Sequence, residues 1–264
     1  MAGGIVVVEI GNELLDGRVV NTNLAWLGER LEEEGYSITR SIILRDDIQE
    51  ICKRLAQVIV ERPSMVLVTG GLGPTWDDVT LQGIACALGV PLKINNAALR
   101  MIKPHIGGRL TPERRKMAFL PEGSEPLKNT RGTAPGVCCG KGGTKIVALP
   151  GVPEEMKGLF EKEVLKIIRL SLTGERRTTG RMVVKGIPEA DLAPLMDKVR
   201  VSLVGIYIKS HVRYSESGPS PIGVFFSHRG RGSKSKVRKG MQMLKSLVIK
   251  AGGEIAKKVS TAAL

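Results

Sequence analysis

Aromatic residues are scarce in this sequence, which has two Trp, three Tyr and four Phe among 264 residues. It contains no zinc-finger spacing and no RNP-type aromatic motif, the usual marks of nucleic-acid readers. No apolar run approaches the roughly 20 residues that a membrane-spanning helix needs. The first residues, MAGGIVVVEIGNELL, lack the basic and long apolar regions of a signal peptide. We therefore expect a cytoplasmic protein with no membrane partner.

Cysteine and histidine are also few. The four cysteines are Cys52, Cys86, Cys138 and Cys139, and none of them forms a CxxC pair. Domains stabilised by zinc ions or by several disulfides have cysteines at denser and more regular spacings, so we expect four reduced thiols. The three histidines are scattered and show no metal-ligand spacing.

Two common phosphate-binding signatures are missing. No GxxxxGK[ST] sequence occurs, and GRGSKSK at 230–236 resembles a P-loop only superficially. The first loop, at 11–17, is not a GxGxxG fingerprint either.

Positive charge is concentrated in the last third of the chain. From residue 175 onward there are 18 Lys and Arg against 6 Asp and Glu, whereas residues 1–174 hold 22 against 20. Such asymmetry often indicates contact with nucleic acid or membranes, although a solvated basic face also occurs in heat-adapted proteins. A nucleic-acid partner is possible on this ground but is not favoured.

The first two-thirds of the chain alternates strand-like and helix-like segments. A buried strand is predicted at 4–10 and further strands at 36–44 and 64–71. Helices are predicted at 22–35, 47–61 and 77–89, and the one at 47–61 is amphipathic. This order predicts an α/β fold in which helices cover both faces of a mostly parallel sheet, giving three layers.

The remaining segments complete this domain and begin another. Residues 96–120 look helical with breaks at Pro104 and Gly107-Gly108, strands follow in PGVCC and KIVALPG, and 153–170 is a closing helix. We expect one domain at 1–172, a linker at 171–180, and a smaller basic α+β domain at 178–264. The order β-α-β-β-α in the second domain makes a ferredoxin-like fold one candidate.

The segment TGGLGPTWDDVT, residues 69–80, follows a predicted strand and is the strongest candidate site. Backbone N–H groups of Gly70, Gly71 and Gly73 suit a phosphate, as does the N-terminus of the next helix. Carboxylates at Asp77 and Asp78 would repel a phosphate unless a divalent cation bridges them or they accept N–H groups from a heterocycle. A purely structural interpretation is equally open, with Asp77 as helix cap and Asp78 offsetting the helix dipole.

Two other loops are expected to join this site. Asn12, Glu13 and Asp16 follow the first strand, at the same edge of a parallel sheet. Asp46 and Asp47 either cap a helix or reach the same crevice. The segment NTRGTAPG, at 129–136, either closes over a ligand or is a plain loop. Its candidate contact residues are Asn129, Thr133, Pro135 and Gly136.

Five motifs in this order resemble one family. GNELLDGRVVNTN, TGGLGPTWDDVT, KMAFLPEG, NTRGTAPG and LPGVPEEM are similar to the N-terminal domain of the CinA (competence/damage-inducible protein A) family, a MoaB/Mog-type molybdopterin-binding domain, over roughly residues 3–170. The resemblance implies a ligand over the glycine loop, with Asp78 in the pterin site. The residue at Asn12 departs from the Asp or Thr of many wider relatives, so Asn12 is at most a positioning residue. Nothing at 175–264 looks like the amidase domain of the bacterial proteins.

The resemblance also implies an activity. CinA-type domains are associated with metal-dependent hydrolysis of the pyrophosphate in ADP-ribose and related dinucleotides, which makes this chain a predicted hydrolase using Mg, Mn or Co. Asp77 and Asp78 would be the catalytic, metal-holding pair, and Gly70, Gly71, Gly73 and Thr75 would hold phosphate. One alternative is a molybdopterin-binding protein of molybdenum cofactor biosynthesis, and another is a nucleic-acid-binding module. Homo-oligomers are common in the family, so self-association is also expected.

Overall fold

The computed structural model describes residues 4–105, 110–172, 177–212 and 221–256. The chain divides into two compact units, the first formed by residues 1–31 and 37–174 and the second by residues 32–36 and 175–264. The predicted helix break at 107–108 and the centre of the predicted linker, 173–176, lie outside the described residues. Within the described ranges, no helix has both the length and the apolar character to span a bilayer.

A six-stranded sheet forms the centre of the first unit. Its strand order is β2-β1-β3-β8-β7-β6. The strands β2, β1, β3 and β8 run parallel to one another, and β7 runs antiparallel to both of its neighbours, β8 and β6. Every residue of β1 and β3 is buried, as their continuous apolar sequences predicted. The strands are β1 (Ile5–Ile10), β2 (Ile38–Leu44), β3 (Met65–Thr69), β6 (Glu125–Leu127), β7 (Gly136–Lys141) and β8 (Thr144–Leu149).

Helices cover both faces of this sheet. Alternate β1 residues such as Val6 and Val8 pack in one core cluster with Ile51 and Ile84 from two helices. On the opposite face Phe160 is fully buried and meets Trp26 edge-on, with ring centroids 5.4 Å apart. The predicted three-layer, mostly parallel α/β class is therefore confirmed. The helices are α1 (Asn12–Leu15), α2 (Thr22–Glu33), α3 (Ile48–Val60), α4 (Thr80–Leu88), α5 (Asn96–Ile102), α6 (Pro112–Lys116), α7 (Pro153–Leu159) and α8 (Leu165–Ser171), with a 3-10 turn at Lys103–His105 and a π segment at Phe160–Val164 between α7 and α8.

The region 96–120 differs from its helical prediction. It contains the strand β5 (Phe119–Pro121), which pairs antiparallel with β4 (Leu92–Ile94) in a separate two-stranded sheet. Strands of three residues are too short to show a periodicity of two, so the helical periodicity of the flanking residues dominated the prediction.

A disulfide joins two helices of the first unit, which makes the expectation of four reduced thiols wrong. Cys52 of α3 and Cys86 of α4 are bonded, 34 residues apart in sequence, whereas Cys138 and Cys139 are free. The two helices approach closely at Gly83, where an added Cβ would lie 2.3 Å from a side-chain carbon of Ile51. Helix packing, rather than short sequence spacing, brings the two sulfurs together.

The second unit is a four-stranded antiparallel sheet with two helices. Its element order is β9 (Arg177–Lys185), α9 (Glu189–Ser202), β10 (Tyr207–Val212), β11 (Ile222–Arg229), α10 (Ser233–Lys250) and β12 (Glu254–Ile255). The sheet order is β10-β11-β9-β12, the arrangement of a ferredoxin-like β-α-β-β-α-β module. Its core is a separate cluster that includes Phe226 and Leu244, so the unit carries its own hydrophobic centre.

A buried carboxyl group in β1 links stability to pH. Glu9 is fully buried; its Oε2 accepts the Ser41 hydroxyl at 3.0 Å, and Oε1 has no partner among the described residues. Burial raises the pKa of Glu9, against the lowering effect of the nearby Asn21 and Ser41 side chains. The folded protein therefore holds this proton more tightly than the unfolded chain, and stability falls as pH rises through the raised pKa.

Glu9→Gln is expected to remove this pH dependence, because it replaces the titrating group with a neutral one of the same shape. At about pH 8 the variant should be more stable than the parent by about 1 kcal/mol, since burying a charged carboxylate costs more than burying a neutral amide. The measurement is the denaturant midpoint from about pH 5 to about pH 8. Parallel pH profiles for the two proteins would contradict this assignment.

Candidate functional site

A crevice of about 640 Å³ opens where β1, β3 and β8 end. Parallel strands place their carboxyl ends at one edge of the sheet, so the loops after these three strands meet there. Those loops supply Glu13 after β1, residues 70–73 after β3, and Pro150 to Val152 after β8. Residues 70–73 are called the glycine segment below. The 11–17 and 69–80 loops thus line one crevice, as predicted.

The glycine segment approaches neighbouring backbone too closely for any side chain. Gly70 has φ +98°, and an added Cβ would lie 2.1 Å from the carbonyl oxygen of Ile10. Gly71 has φ +64°, and its Cβ would lie 2.3 Å from the hydroxyl of Thr80. That hydroxyl donates to the Gly70 carbonyl at 2.8 Å, which fixes the turn. Glycine is therefore required here for both conformation and space.

Three backbone amides of this segment have no acceptor among the residues that the structure describes. The Gly70 N–H donates to the carbonyl of Leu149 at 3.0 Å and so belongs to the sheet. Within the described residues, the N–H groups of Gly71, Leu72 and Gly73 donate to nothing, and all three residues line the crevice. Successive free amides of this kind form a seat for an anion.

Asp77 and Asp78 are held by Thr75. The Thr75 hydroxyl lies 2.5 Å from Asp77 Oδ1 and 2.6 Å from Asp78 Oδ2, and the Thr75 N–H donates to Asp78 Oδ2 at 2.8 Å. The hydroxyl is the main cause of the lowered pKa of Asp77. Because α4 begins only at Thr80, with Val79 in the cap position, the interpretation of Asp77 as a helix cap is wrong. Thr75, Asp77 and Asp78 all line the crevice.

Two basic side chains of α6 reach the glycine segment. The ammonium group of Lys116 donates to the carbonyl of Thr75, so it supports the loop from outside. Arg114 lines the crevice directly and is its single basic wall residue in the described part of the chain. No sequence signal distinguishes Arg114 from its neighbours within the basic run PERRK.

Asp46 faces the crevice, and Asp47 does not. Asp47 caps α3 by accepting the N–H of Glu50 at 2.7 Å, while Asp46 accepts the N–H of Asn12 at 2.8 Å. The pKa of Asp46 is raised, first by burial and then by the negative charges of Glu13, Asp77 and Asp78, against the lowering effect of the Asn12 N–H. One wall of the crevice is therefore strongly acidic.

Asn129 organises the loop that closes the other side. It is buried; its amide donates to the carbonyl of Ala134 at 2.9 Å and to Glu155 Oε2 at 2.7 Å, and its oxygen accepts the N–H groups of Arg131 and Gly132 at 3.0 Å each. Each polar atom of the Asn129 side chain is thus used inside the protein. Glu155, which accepts this amide, also lines the crevice.

The remaining predicted contact residues separate into two groups. Thr133 lines the crevice, as do Glu13, Gly70, Gly71 and Gly73. Asn12, Asn129, Pro135 and Gly136 are not among the lining residues. Pro135 and Gly136 are buried where β7 begins, and an added Cβ on Gly136 would lie 3.0 Å from the carbonyl of Ala148. The binding roles of all these residues stay predictions.

The described residues contain no cluster of metal-binding side chains. In the described ranges, no group of three or more His, Cys, Asp or Glu side chains comes close enough together to hold a metal ion. Asp77 and Asp78 instead share the Thr75 hydroxyl as partner. The roles of these two aspartates as metal ligands and catalytic groups stay predictions.

Comparison with known proteins agrees with the motif resemblance. A relative from Pyrobaculum aerophilum is 41% identical over 239 residues, which is 89% of this chain and 89% of its own. One from Aeropyrum pernix is 38% identical over 261 residues, 96% of this chain and 97% of its own. The likeness to these archaeal proteins therefore includes both units.

A solved structure matches the first unit. The protein CinA from Thermoplasma acidophilum, described as of unknown function, is 44% identical and superposes with a TM-score of 0.60, covering 63% of this chain and 99% of that chain. The family model described as "Probable molybdopterin binding domain" matches residues 6–170, which contain every crevice residue named above. The chain therefore belongs to this molybdopterin-binding-domain family, of the MoaB/Mog type.

Proposed function

We propose that the crevice binds a pterin that carries a phosphate group, a ligand of the molybdopterin type. The observation that carries this proposal is the pairing of three unengaged amides, at Gly71, Leu72 and Gly73, with an acidic wall in one crevice. The amides suit phosphate oxygens. A pterin ring presents N–H groups, for which carboxylates such as Asp46 and Asp78 are acceptors. The ligand thus meets donors at one end and acceptors at the other.

The size and rim of the crevice fit such a ligand. Its volume of about 640 Å³ lies in the range of small-molecule sites. Trp76, 89% exposed, does not line the crevice itself but lies in the loop between two residues that do, Thr75 and Asp77. An exposed indole costs little to order over a flat heterocycle, and stacking buries apolar surface on both partners. The family description supports the same ligand class.

Hydrolysis of a nucleotide pyrophosphate such as ADP-ribose is the second candidate. The acidic wall around Asp46 favours it, because concentrated negative charge attracts a divalent cation that a bound pyrophosphate would help to hold. In this proposal the phosphates would lie on the same glycine amides. Release of AMP that depends on added Mg²⁺, Mn²⁺ or Co²⁺ would support it.

Asp78→Asn is expected to weaken pterin binding by about 100-fold, since losing a charged hydrogen-bond acceptor costs up to about 3 kcal/mol. The amide oxygen still accepts the Thr75 N–H, so the loop and the melting temperature should change little. The measurement is quenching of Trp76 fluorescence during titration with molybdopterin. The second tryptophan, Trp26, packs against Phe160 and serves as a constant background.

The matched control for this variant is Asp16→Asn. It makes the same charge change in the loop after β1, at an exposed carboxylate paired with Arg18 and Arg45. The control should bind like the parent protein. If Asp78→Asn bound molybdopterin as tightly as Asp16→Asn does, Asp78 would not belong to the binding site.

A further inference from the structure

The helix α10 presents an unusually one-sided charge. Its 18 residues, SKSKVRKGMQMLKSLVIK, include six Lys and Arg and no Asp or Glu. Its inner face is apolar or small and packs on the sheet of the second unit through Val237, Gly240, Leu244 and Val248. The basic residues therefore occupy its outer face.

These outward residues form two rows. At 100° per residue, Lys234, Arg238 and Lys245 follow one edge of the outer face, and Lys239 and Lys250 follow the other. Uncharged polar side chains lie between the rows, at Ser235, Gln242 and Ser246, and all of these residues are exposed. The helix is about 27 Å long, so the rows extend over several phosphates of a nucleic-acid strand.

None of the five lysine and arginine residues of the rows has a side-chain partner within the part of the chain that the structure describes. Only Lys236, which belongs to neither row, is engaged: its ammonium group donates to the carbonyl of Val204 at 3.2 Å and lies 3.2 Å from His228 Nε2. Among the described residues, no carboxylate is within ion-pairing distance of the other five. The neighbouring helix α9 differs, since its Arg200 pairs with Asp197 at 3.0 Å. Among the described residues, α10 therefore lacks the surface network of ion pairs that is common in heat-adapted proteins.

We propose that the outer face of α10 docks on duplex DNA through the phosphate backbone. Two basic edges with a polar centre match a helix that lies along a groove, where phosphates border both sides. The helix has no aromatic residue for stacking on single-stranded bases. Its single exposed large apolar side chain is Ile249, too little for insertion into a bilayer interface. This surface is independent of the pterin crevice, and either proposal can fail alone.

The test compares two triple variants of the full chain. Arg238→Ala/Lys239→Ala/Lys245→Ala removes charge from both rows, and alanine preserves the helix. Lys185→Ala/Lys198→Ala/Lys209→Ala removes the same charge from exposed positions of β9, α9 and β10. Affinity for a duplex of about 20 base pairs is measured by fluorescence anisotropy from about 50 to about 200 mM salt, with circular dichroism as the folding check.

The α10 triple variant should bind the duplex at least about 10-fold more weakly than the parent, and the slope of log K against log salt should fall by about 2.7, or 0.9 per lost phosphate contact. The matched triple variant should lose less than about 3-fold. Equal losses would mean that bulk charge alone binds DNA, and a larger loss in the matched variant would move the site to the sheet. Failure of the parent to bind duplex, or tighter binding to anionic vesicles or single strands, would also overturn the proposal.

Discussion

Gly70→Ala is expected to destabilise the first unit by about 3–5 kcal/mol, the range of the most damaging single substitutions. Two costs combine: a φ of +98°, which a side chain rarely adopts, and a Cβ 2.1 Å from the carbonyl oxygen of Ile10. Relief of the contact requires the ends of β1 and β3 to separate. The glycine segment would then move away from the acidic wall, so pterin binding should be lost together with stability.

The control for Gly70→Ala is Gly142→Ala. Gly142 lies in the hairpin between β7 and β8 with φ +61°, and an added Cβ would meet nothing within 4 Å. Only backbone strain remains there, about 1 kcal/mol. Thermal unfolding should therefore show a drop of about 10 °C for the first variant and only a few degrees for the second. Equal drops would mean that close backbone contact at Gly70 is not what the fold depends on.

Loss of the disulfide should also lower stability strongly. The bond closes a loop with a sequence separation of 34 residues, for which chain entropy gives a stabilisation of about 4 kcal/mol. A phosphine reductant should therefore lower the melting temperature by about 10 °C. Cys86 is exposed, so the reductant has access to the bond.

The double variant Cys52→Ala/Cys86→Ala separates this effect from other thiol chemistry. It should melt at the temperature of the reduced parent, and the reductant should not shift it further. Burial raises the pKa of Cys139 to about 12, so the thiolate that would exchange with a disulfide is scarce there. If the reductant left the melting temperature of the parent protein unchanged, the bond would not have a stabilising role.

The fold could be predicted from sequence wherever the segments were long and regular. The buried runs in β1 and β3 and the amphipathic stretch of α3 located the sheet and its covering helices. Their alternation required parallel strands, and parallel strands place the loops with Glu13 and Asp78 at one edge. The second unit was harder, since β12 has only two residues and offers no pattern.

The details of the site could not be predicted, because they depend on contacts between distant segments. Asp46 and Asp47 are adjacent acidic residues that the sequence does not distinguish. The structure shows that Asp46 accepts the N–H of Asn12 and faces the crevice, whereas Asp47 caps α3. Asn129 resembled a ligand contact, yet its amide is fully used in holding the 129–136 loop and Glu155. The pairing of Cys52 with Cys86 depends likewise on how α3 packs against α4.

The most direct test of the pterin crevice is a calorimetric titration of the wild-type chain with molybdopterin, in the presence of a metal chelator. We expect saturable binding at one site per chain without divalent metal, and loss of this binding in Asp78→Asn. Absence of binding, with AMP released from ADP-ribose only when metal is restored, would contradict it and assign the crevice to pyrophosphate hydrolysis.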